Sequence, residues 1–167
     1  MLLGQRTGSE NSIATKRLFA DDVFLNSFLK TIDMKLNPYL HFSGNAEEAL
    51  NFYRDVFNGE IIRLSRYADG PMPVDDDWKS KIMHVSLKFG DCLIMISDGP
   101  KGYKSSTDGN IQLSVDFEDA DKMENTFNKL AGGGTIVLPL AKQFWGARFG
   151  MLKDKYGIGW MFNHEEK

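Results

Sequence analysis

The chain contains a single cysteine, Cys92, among its 167 residues, and an internal disulfide is therefore excluded. A small extracellular fold held together by disulfides is not expected. Cys92 precedes the apolar run from Leu93 to Ile96, a pattern that favours a small core residue in a reducing compartment. On this basis we expect a cytoplasmic protein.

Long hydrophobic runs are missing as well. No apolar stretch approaches the roughly 20 residues that a membrane-spanning helix needs. Charged residues at positions 6, 10, 16 and 17 interrupt the N-terminal region, where a secretory signal would carry an uncharged apolar segment. We therefore expect neither a membrane anchor nor a signal peptide, and no membrane partner.

An excess of one charge is the third absence. Lys and Arg number 20 against 23 Asp and Glu, which gives a formal net charge of -3. Acids and bases are interspersed, so no basic stripe is present to neutralise a phosphate backbone, and nucleic acid is not an expected partner. The hydrophobic fraction of 42% suffices for one domain of ordinary size with a substantial core.

What the chain does contain is one pattern that occurs twice. Apolar and glycine positions in and after the helix of the first half have counterparts 74 residues later. The pairs are Ala46 and Ala120, Ala49 and Met123, Tyr53 and Phe127, Val56 and Leu130, Gly59 and Gly133, and Ile62 and Ile136. One half alone would leave an apolar sheet face bare, so we expect two halves to enclose a concave surface that carries the function.

Each half is predicted to fold as a strand, a helix and three further strands. In the first half the helix runs from Ala46 to Phe57, and Asn58-Gly59 ends it as a left-handed cap. Strands are predicted at 39–43, 62–65, 83–89 and 92–97, then at 111–117, 135–140, 148–153 and 158–163, with the second helix at 120–130. The pattern predicts eight strands and two helices, in an α+β fold of two β-α-β-β-β modules at about 36–98 and 110–164.

Residues 1–33 match neither half and are predicted to be an extension to a single domain at 34–167. Apolar residues spaced by three and four predict a short amphipathic helix at about 19–32. Three roles stay open for this segment: an extension ahead of a start at Met34, a helix that covers a sheet edge, or an arm that binds a partner protein.

Polar side chains alternate with apolar ones along three of the predicted strands. Successive side chains of a strand point to opposite faces, so the polar residues share the face that points away from the core. They are Tyr39, His41, His84, Ser86, Gln112 and Ser114. A neutral imidazole can act as acid, base or hydrogen-bond donor, which makes His84 and His41 candidate catalytic residues. The alternative is a structural histidine bonded to a backbone carbonyl.

A predicted loop at 144–148 carries a large aromatic side chain, Trp145, and a cationic side chain, Arg148. Trp145 can stack on a flat ligand, and Arg148 can grip a carboxylate or phosphate through two parallel hydrogen bonds. In the alternative interpretation, Trp145 plugs one end of a sheet while Arg148 pairs with an acid such as Asp98 or Asp154.

The repeated β-α-β-β-β unit, with Phe52-Tyr53 in its first helix and Asp154-Lys155-Tyr156-Gly157 before its last strand, resembles the vicinal oxygen chelate superfamily. That superfamily includes glyoxalase I, extradiol dioxygenases and bleomycin-resistance proteins, and the resemblance covers about residues 36–164. Further segments are similar to its PhnB-like branch, whose members are often labelled 3-demethylubiquinone methyltransferase domains. These segments are Tyr39-Leu40-x-Phe42, 44–49, Met83-His84 and 144–150.

The resemblance implies a glyoxalase-like fold, an eight-stranded open half-barrel whose cavity is lined by the polar face, and a homodimer. Superfamily members with a metal place His, Gln or Glu on the first and last strands of each half. The corresponding windows here, 37–39, 94–96, 110–112 and 160–162, offer only Gln112 as a plausible ligand. One amide does not hold a divalent ion against water, so we expect no metal and no other cofactor.

Three functional hypotheses follow. The first is a protein that binds a small aromatic or anionic metabolite through Trp145, Arg148, His84 and Gln112. The second is a metal-dependent lyase or isomerase in the manner of glyoxalase, with His84 or His41 as the base. The third is an interaction protein that acts through the N-terminal helix. No glycine-rich nucleotide fingerprint follows a predicted strand, which argues against a methyltransferase that uses S-adenosylmethionine.

Overall fold

The computed structural model describes residues 35–106 and 110–166. The chain divides into two units, residues 1–36 and 37–167. The predicted extension at 1–33 and its helix at about 19–32 lie outside the described residues, so their roles stay predictions. All elements below belong to the second unit.

The order of elements confirms the duplicated pattern. The first module contains β1 (Tyr39–Phe42), α1 (Ala46–Phe57), β2 (Glu60–Arg66), a 3₁₀ turn (Tyr67–Asp69), β3 (Ile82–Phe89) and β4 (Cys92–Asp98). The second contains β5 (Leu113–Asp116), α2 (Ala120–Ala131), β6 (Thr135–Lys142), β7 (Ala147–Lys153) and β8 (Gly159–Glu165). Among the described residues this gives the expected eight strands and two helices, with α1 at its predicted bounds.

The strands form two four-stranded mixed sheets with the same topology. Sheet 1 has the order β1-β4-β3-β2, and sheet 2 has the order β5-β8-β7-β6. The first and last strands of each module pair in parallel, while the remaining pairs are antiparallel. The predicted α+β class with tandem β-α-β-β-β modules is confirmed.

The ends of the helices are satisfied by nearby polar groups. Oδ1 of Asp98, at the end of β4, accepts hydrogen bonds from the backbone N–H groups of Gly44 (2.8 Å) and Ala46 (2.9 Å) at the start of α1. Asn58 follows α1 in the left-handed region at φ 50°, which confirms the predicted cap. In the second module, the side chain of Asp119 accepts from the backbone N–H of Lys122 at 2.9 Å.

The two modules share one hydrophobic core. Each helix packs its apolar side on one face of its own sheet, and the helices also contact each other. Trp160 of β8 is buried and lies against two rings of α1, with centroid distances of 5.7 Å to Tyr53 and 5.2 Å to Phe57. Within residues 35–106 and 110–166, the opposite face of each sheet carries no helix, and we call it the uncovered face.

The prediction that Cys92 belongs to the core was wrong, because its side chain is exposed. Cys92 pairs with Phe89 in the last register position before the hairpin turn. α1 ends at Phe57, whose ring stacks on Phe89 at 4.5 Å, and the cysteine beside it is left in solvent. No helix in the described part of the chain is long and apolar enough to cross a membrane.

Candidate functional site

Three polar side chains form a hydrogen-bonded chain on the uncovered face of sheet 1. The Oη atom of Tyr39 lies 3.0 Å from Nδ1 of His84, and Nε2 of His84 lies 3.3 Å from Oγ of Ser86. A neutral imidazole has one donating and one accepting nitrogen. If Tyr39 donates to Nδ1, then His84 donates to Ser86, and the opposite tautomer reverses both bonds. The direction of the hydrogen bond at Tyr39 is therefore coupled through His84 to the direction of the hydrogen bond at Ser86.

The second histidine of this face, His41, has a nitrogen left for a ligand. Its ring stacks on Tyr39 at 4.6 Å with an interplanar angle of 17°, and its Nδ1 lies 3.1 Å from Oγ of the buried Ser97. Within the described ranges, Nε2 of His41 has no hydrogen-bond partner. We call Tyr39, His41, His84, Ser86 and Ser97 the histidine cluster.

Strand register explains why these side chains meet. β1 lies beside β4 with Tyr39 opposite Met95 and His41 opposite Ser97, and β3 lies on the other side of β4 with Ser86 opposite Met95. Paired residues point to the same face of a sheet. The alternation seen in the sequence therefore places residues from three strands side by side.

The end of β4 beside the cluster is held by aromatic side chains from two loops. Tyr67 donates its phenol proton to the carbonyl of Asp98 (3.0 Å), and Nε1–H of Trp78 donates to the carbonyl of Gly99 (3.2 Å). Burial, reinforced by the nearby carboxylate of Asp98, raises the pKa of Tyr67, so this phenol remains a neutral donor at physiological pH. The ring of Tyr103 lies 6.0 Å from that of His41.

An open cavity of about 600 Å³ adjoins the histidine cluster and is lined by both modules. Tyr39 and His41 line it from the first module, Tyr103 from the segment between the modules, and Gln112 and Lys153 from the second module. The volume falls within the range of roughly 300–1,000 Å³ typical of small-molecule sites. Duplication thus brings the region before β5 next to β1, as the concave-surface hypothesis requires.

The structure brings together five of the eight predicted site residues. Tyr39, His41, His84 and Ser86 share one face, and Gln112 reaches the adjoining cavity.

The other three predicted residues lie elsewhere. Ser114 is exposed on β5, opposite Met161. Trp145 is 53% exposed in the turn before β7, in contact with Phe144 and Phe149. Arg148 is paired, as its alternative interpretation anticipated, but Nη2 contacts Glu124 of α2 at 2.7 Å. The expected partners Asp98 and Asp154 were wrong, because backbone and side-chain donors already occupy those buried carboxylates.

Three contributors were missed in the sequence. Ser97 follows the same alternation in β4 and could have been found from it. Tyr103 lies in the segment between the modules, where no periodic pattern points to a site. Lys153 ends β7 and carries no signal beyond its charge.

The donors near this face do not fit the metal site of the superfamily. On the first and last strands of the modules, the side chains of the uncovered faces include Tyr39, His41, Met95 and Met161, with Gln112 just before β5. The described residues contain no group of three or more His, Cys, Asp or Glu side chains placed to hold an ion. One imidazole with thioether, amide and phenol groups around it falls short of the three or four protein ligands that hold a borderline divalent cation.

Comparison with known proteins identifies the family. A family model described as 3-demethylubiquinone-9 3-methyltransferase matches residues 34–162. Protein PA1353 from Pseudomonas aeruginosa is 36% identical, with a TM-score of 0.73 over 81% of this chain and 100% of that chain. A putative 3-demethylubiquinone-9 3-methyltransferase, PhnB protein, from Bacillus cereus is 31% identical, with a TM-score of 0.66 over 78% of this chain and 99% of that chain.

A glyoxylase/bleomycin resistance protein/dioxygenase domain from Frankia sp. EAN1pec shares the fold. It is 12% identical, with a TM-score of 0.59 over 81% of this chain and 100% of that chain. Since the family model spans most of the chain and two solved structures exceed 30% identity, the chain belongs to the 3-demethylubiquinone-9 3-methyltransferase family, in its PhnB-like branch with a glyoxalase-like fold.

Proposed function

We propose that the protein binds a small aromatic or anionic metabolite at the histidine cluster, without an obligatory metal. The observation that carries this proposal is the arrangement of His41. Its ring is stacked on Tyr39, its Nδ1 is fixed by Ser97, and its Nε2 has no partner in the described chain. An imidazole that is held in one orientation and keeps one ring nitrogen available for a hydrogen bond is suited to recognise a ligand.

The chemistry of the cluster defines what it accepts. The stacked pair Tyr39 and His41 offers a flat surface to an aromatic ring. The hydroxyl of Ser86 offers a hydrogen bond at one end of that surface, and Nε2 of His41 offers another. The adjoining cavity provides room for the rest of a small molecule.

The proposed independence from metal rests on the donor set, which does not fit a divalent ion in the described residues. Its test is binding in the presence of EDTA, which we expect to leave the ligand affinity unchanged. We also place the protein in the cytoplasm, because its single, exposed cysteine would stay a free thiol in a reducing compartment.

A second copy of the chain is proposed to complete the cavity. Ile136, Val137 and Leu138 follow one another on the edge strand β6, and Val137 is 60% exposed. A contiguous exposed apolar stretch on an edge strand is a liability for a monomer and is suited to pairing. We expect a dimer by light scattering at micromolar concentration, and a monomer after Val137→Glu.

An isomerase or lyase with His41 or His84 as base is the second candidate. The observation that favours it is the Tyr39–His84–Ser86 chain, which can relay a proton between two hydroxyl groups. A ligand that is recovered unchanged after prolonged incubation indicates binding alone, while chemical conversion that His84→Gln abolishes indicates the enzyme.

A thermal-shift screen against aromatic and anionic metabolites tests the proposed function. A ligand present at 100 times its Kd stabilises the folded state by about 2.7 kcal/mol. For a protein of this size such a gain raises Tm by roughly 5–10 °C. His41→Ala and His84→Gln should remove the shift. His164→Gln is the matched control, because His164 lies on β8 of sheet 2 with its Nδ1 bonded to the carbonyl of Phe117.

Two results would contradict the proposal. One is a set of hits whose shifts persist in both cluster variants. The other is a shift that EDTA abolishes and that added divalent metal restores.

A further inference from the structure

Resting on the proposed function, we propose that Arg63 receives the anionic group of the ligand and so determines its specificity for oxyanions. The site therefore takes a carboxylate, sulfonate or phosphate attached to a flat ring. In the sequence, Arg148 is the candidate for binding an anion. We assign that role to Arg63 of sheet 1 instead.

Ion pairing separates Arg63 from the other described arginines. Arg54 contacts Asp55 at 2.9 Å, Arg66 contacts Glu47 at 2.7 Å and Arg148 contacts Glu124 at 2.7 Å. Arg63 has neither an ion pair nor a side-chain hydrogen bond with any residue that the structure describes. Its five N–H donors thus remain available.

The register of sheet 1 places Arg63 beside the histidine cluster. Arg63 of β2 lies directly opposite Ser86 of β3, and Ser65 lies opposite His84. Opposed residues of antiparallel strands point to the same face, with Cβ atoms about 4.5–5.5 Å apart. Since Oγ of Ser86 is bonded to Nε2 of His84, the guanidinium group and the imidazole flank the same hydroxyl.

No carboxylate among the described residues pairs with Arg63. The strands of sheet 1 contain two acids, Glu60 and Asp98. Glu60 lies opposite Lys88, farther along β2. Asp98 is buried, and its two oxygens accept three hydrogen bonds, from the backbone N–H groups of Gly44, Ala46 and Ile82. An anion that arrives from solvent therefore finds an unneutralised cation.

The ligand class follows from this geometry. A guanidinium group binds an oxyanion through two parallel N–H donors, and the hydroxyl of Ser86 beside it can serve a remaining oxygen. The stacked rings of Tyr39 and His41 lie on the same face, toward the other edge of the sheet. A molecule with a planar ring at one end and an oxyanion at the other spans the two features.

The probes 2-naphthoate and 2-naphthamide test the role of Arg63, because they share a ring and differ by one charge. Binding is followed through the Hε1 signals in the proton NMR spectrum. The chain has only three histidines, so His41 and His84 report on the cluster while His164 on sheet 2 is an internal reference.

We expect the wild-type protein to bind 2-naphthoate more tightly than 2-naphthamide. Arg63→Gln should raise the Kd of 2-naphthoate roughly tenfold, the effect of losing one charge-assisted hydrogen bond, and leave that of 2-naphthamide unchanged. The Kd of 2-naphthoate for Arg63→Lys should lie between those of the wild type and Arg63→Gln, since lysine keeps the charge but loses the two parallel N–H donors. Arg148→Gln is the matched control and should change neither Kd.

Each other outcome overturns the inference. Equal 2-naphthoate affinity in wild type and Arg63→Gln, with the His41 and His84 signals still moving, refutes the role of Arg63 and leaves the proposed binding site intact. A loss confined to Arg148→Gln would assign the anion to that residue instead. If neither probe moves the His41 and His84 signals of the wild-type protein, the proposed function fails together with the inference.

Discussion

The phenol of Tyr53 donates a hydrogen bond of 2.8 Å to Oδ2 of Asp154, and this contact joins α1 of the first module to the β7–β8 turn of the second. Both side chains are buried. The same oxygen accepts from Nε1–H of Trp160 at 2.9 Å, while Oδ1 accepts from the backbone N–H groups of Tyr156 and Ile158. Of these four hydrogen bonds, the one from Tyr53 crosses between the modules, and the other three hold the carboxylate in place within the second module.

Removing the phenol hydroxyl tests the strength of this contact. Tyr53→Phe keeps the ring in the core but leaves the carboxylate of Asp154 with one donor fewer. A hydrogen bond to a charged group contributes about 1.5–3 kcal/mol, so we expect the free energy of unfolding in urea to fall by that amount. Tyr103→Phe is the control, because that phenol is exposed, and its effect should stay within about 0.5 kcal/mol. Equal effects of the two substitutions would show that the buried bond adds nothing.

The same phenol should make stability fall at high pH. Burial, together with the negative charge of Asp154, raises the pKa of Tyr53 well above its ordinary value. The unfolded chain titrates near pH 10, so above that pH it loses a proton that the folded protein keeps, and unfolding becomes easier. Relative to Tyr53→Phe, the free energy of unfolding of the wild type should fall by about 1.4 kcal/mol for each pH unit above 10. Urea curves between pH 8 and pH 11.5 measure this, and parallel pH profiles would contradict it.

The local elements of the fold could be predicted because their signals are local. The bounds of α1 follow from apolar spacing between Ala46 and Phe57 and from the cap at Asn58, all within one short segment. The partner of Tyr53 could not be predicted, since Asp154 lies 101 residues away and no periodic pattern encodes that distance. The exposure of Cys92 likewise could not be predicted, because it depends on where α1 ends relative to β4 in the folded protein.

The candidate site was predictable in the same partial way. Alternation alone places Tyr39, His41, His84 and Ser86 on one face, because strand geometry fixes the direction of each side chain. Alternation does not say which charges are already neutralised. The sequence pattern singled out Arg148 and not Arg63, but the fold places Glu124 against Arg148, while no acid among the described residues pairs with Arg63.

The ion pair between Glu47 and Arg66 should weaken at low pH. Nη2 of Arg66 lies 2.7 Å from Oε1 of Glu47, and this hydrogen bond holds the pKa of Glu47 below its ordinary value. A lowered folded-state pKa adds stability above the unfolded value near 4.5, and that stability is lost as the pH falls through the folded value.

A double-mutant cycle with Glu47→Gln and Arg66→Gln isolates this pair. We expect a coupling of roughly 0.2–1 kcal/mol at pH 7, because about half of the carboxylate side chain is exposed and solvent screens it. The coupling should shrink toward zero well below the ordinary carboxyl range. The backbone carbonyl of Ser80 also accepts from Arg66, so the single substitutions alone do not report on the pair. A coupling that grows as the pH falls would refute the assignment.

Gly99 controls the placement of Tyr103 over the histidine cluster. A Cβ atom at position 99 would lie well inside van der Waals contact with Cβ, Cγ and Cδ1 of Tyr103. Gly99→Ala must therefore displace the ring from its present position, 6.0 Å from the ring of His41 between centroids. Overpacking of this kind costs about 1–3 kcal/mol. We expect urea unfolding to show this loss and the Hε1 signal of His41 to shift as the ring current of Tyr103 is withdrawn.

The clash is relieved when the whole tyrosine side chain is absent, which gives this last prediction its control. In a Tyr103→Gly background the alanine at position 99 no longer meets Cβ or the ring atoms of Tyr103, so Gly99→Ala should then cost less than about 0.5 kcal/mol. The Hε1 shift of His41 caused by Gly99→Ala should disappear in the same background. Equal destabilisation by Gly99→Ala with and without the Tyr103 side chain would mean that the backbone requires glycine at position 99. That result would refute a role for Gly99 in placing the ring of Tyr103 near His41.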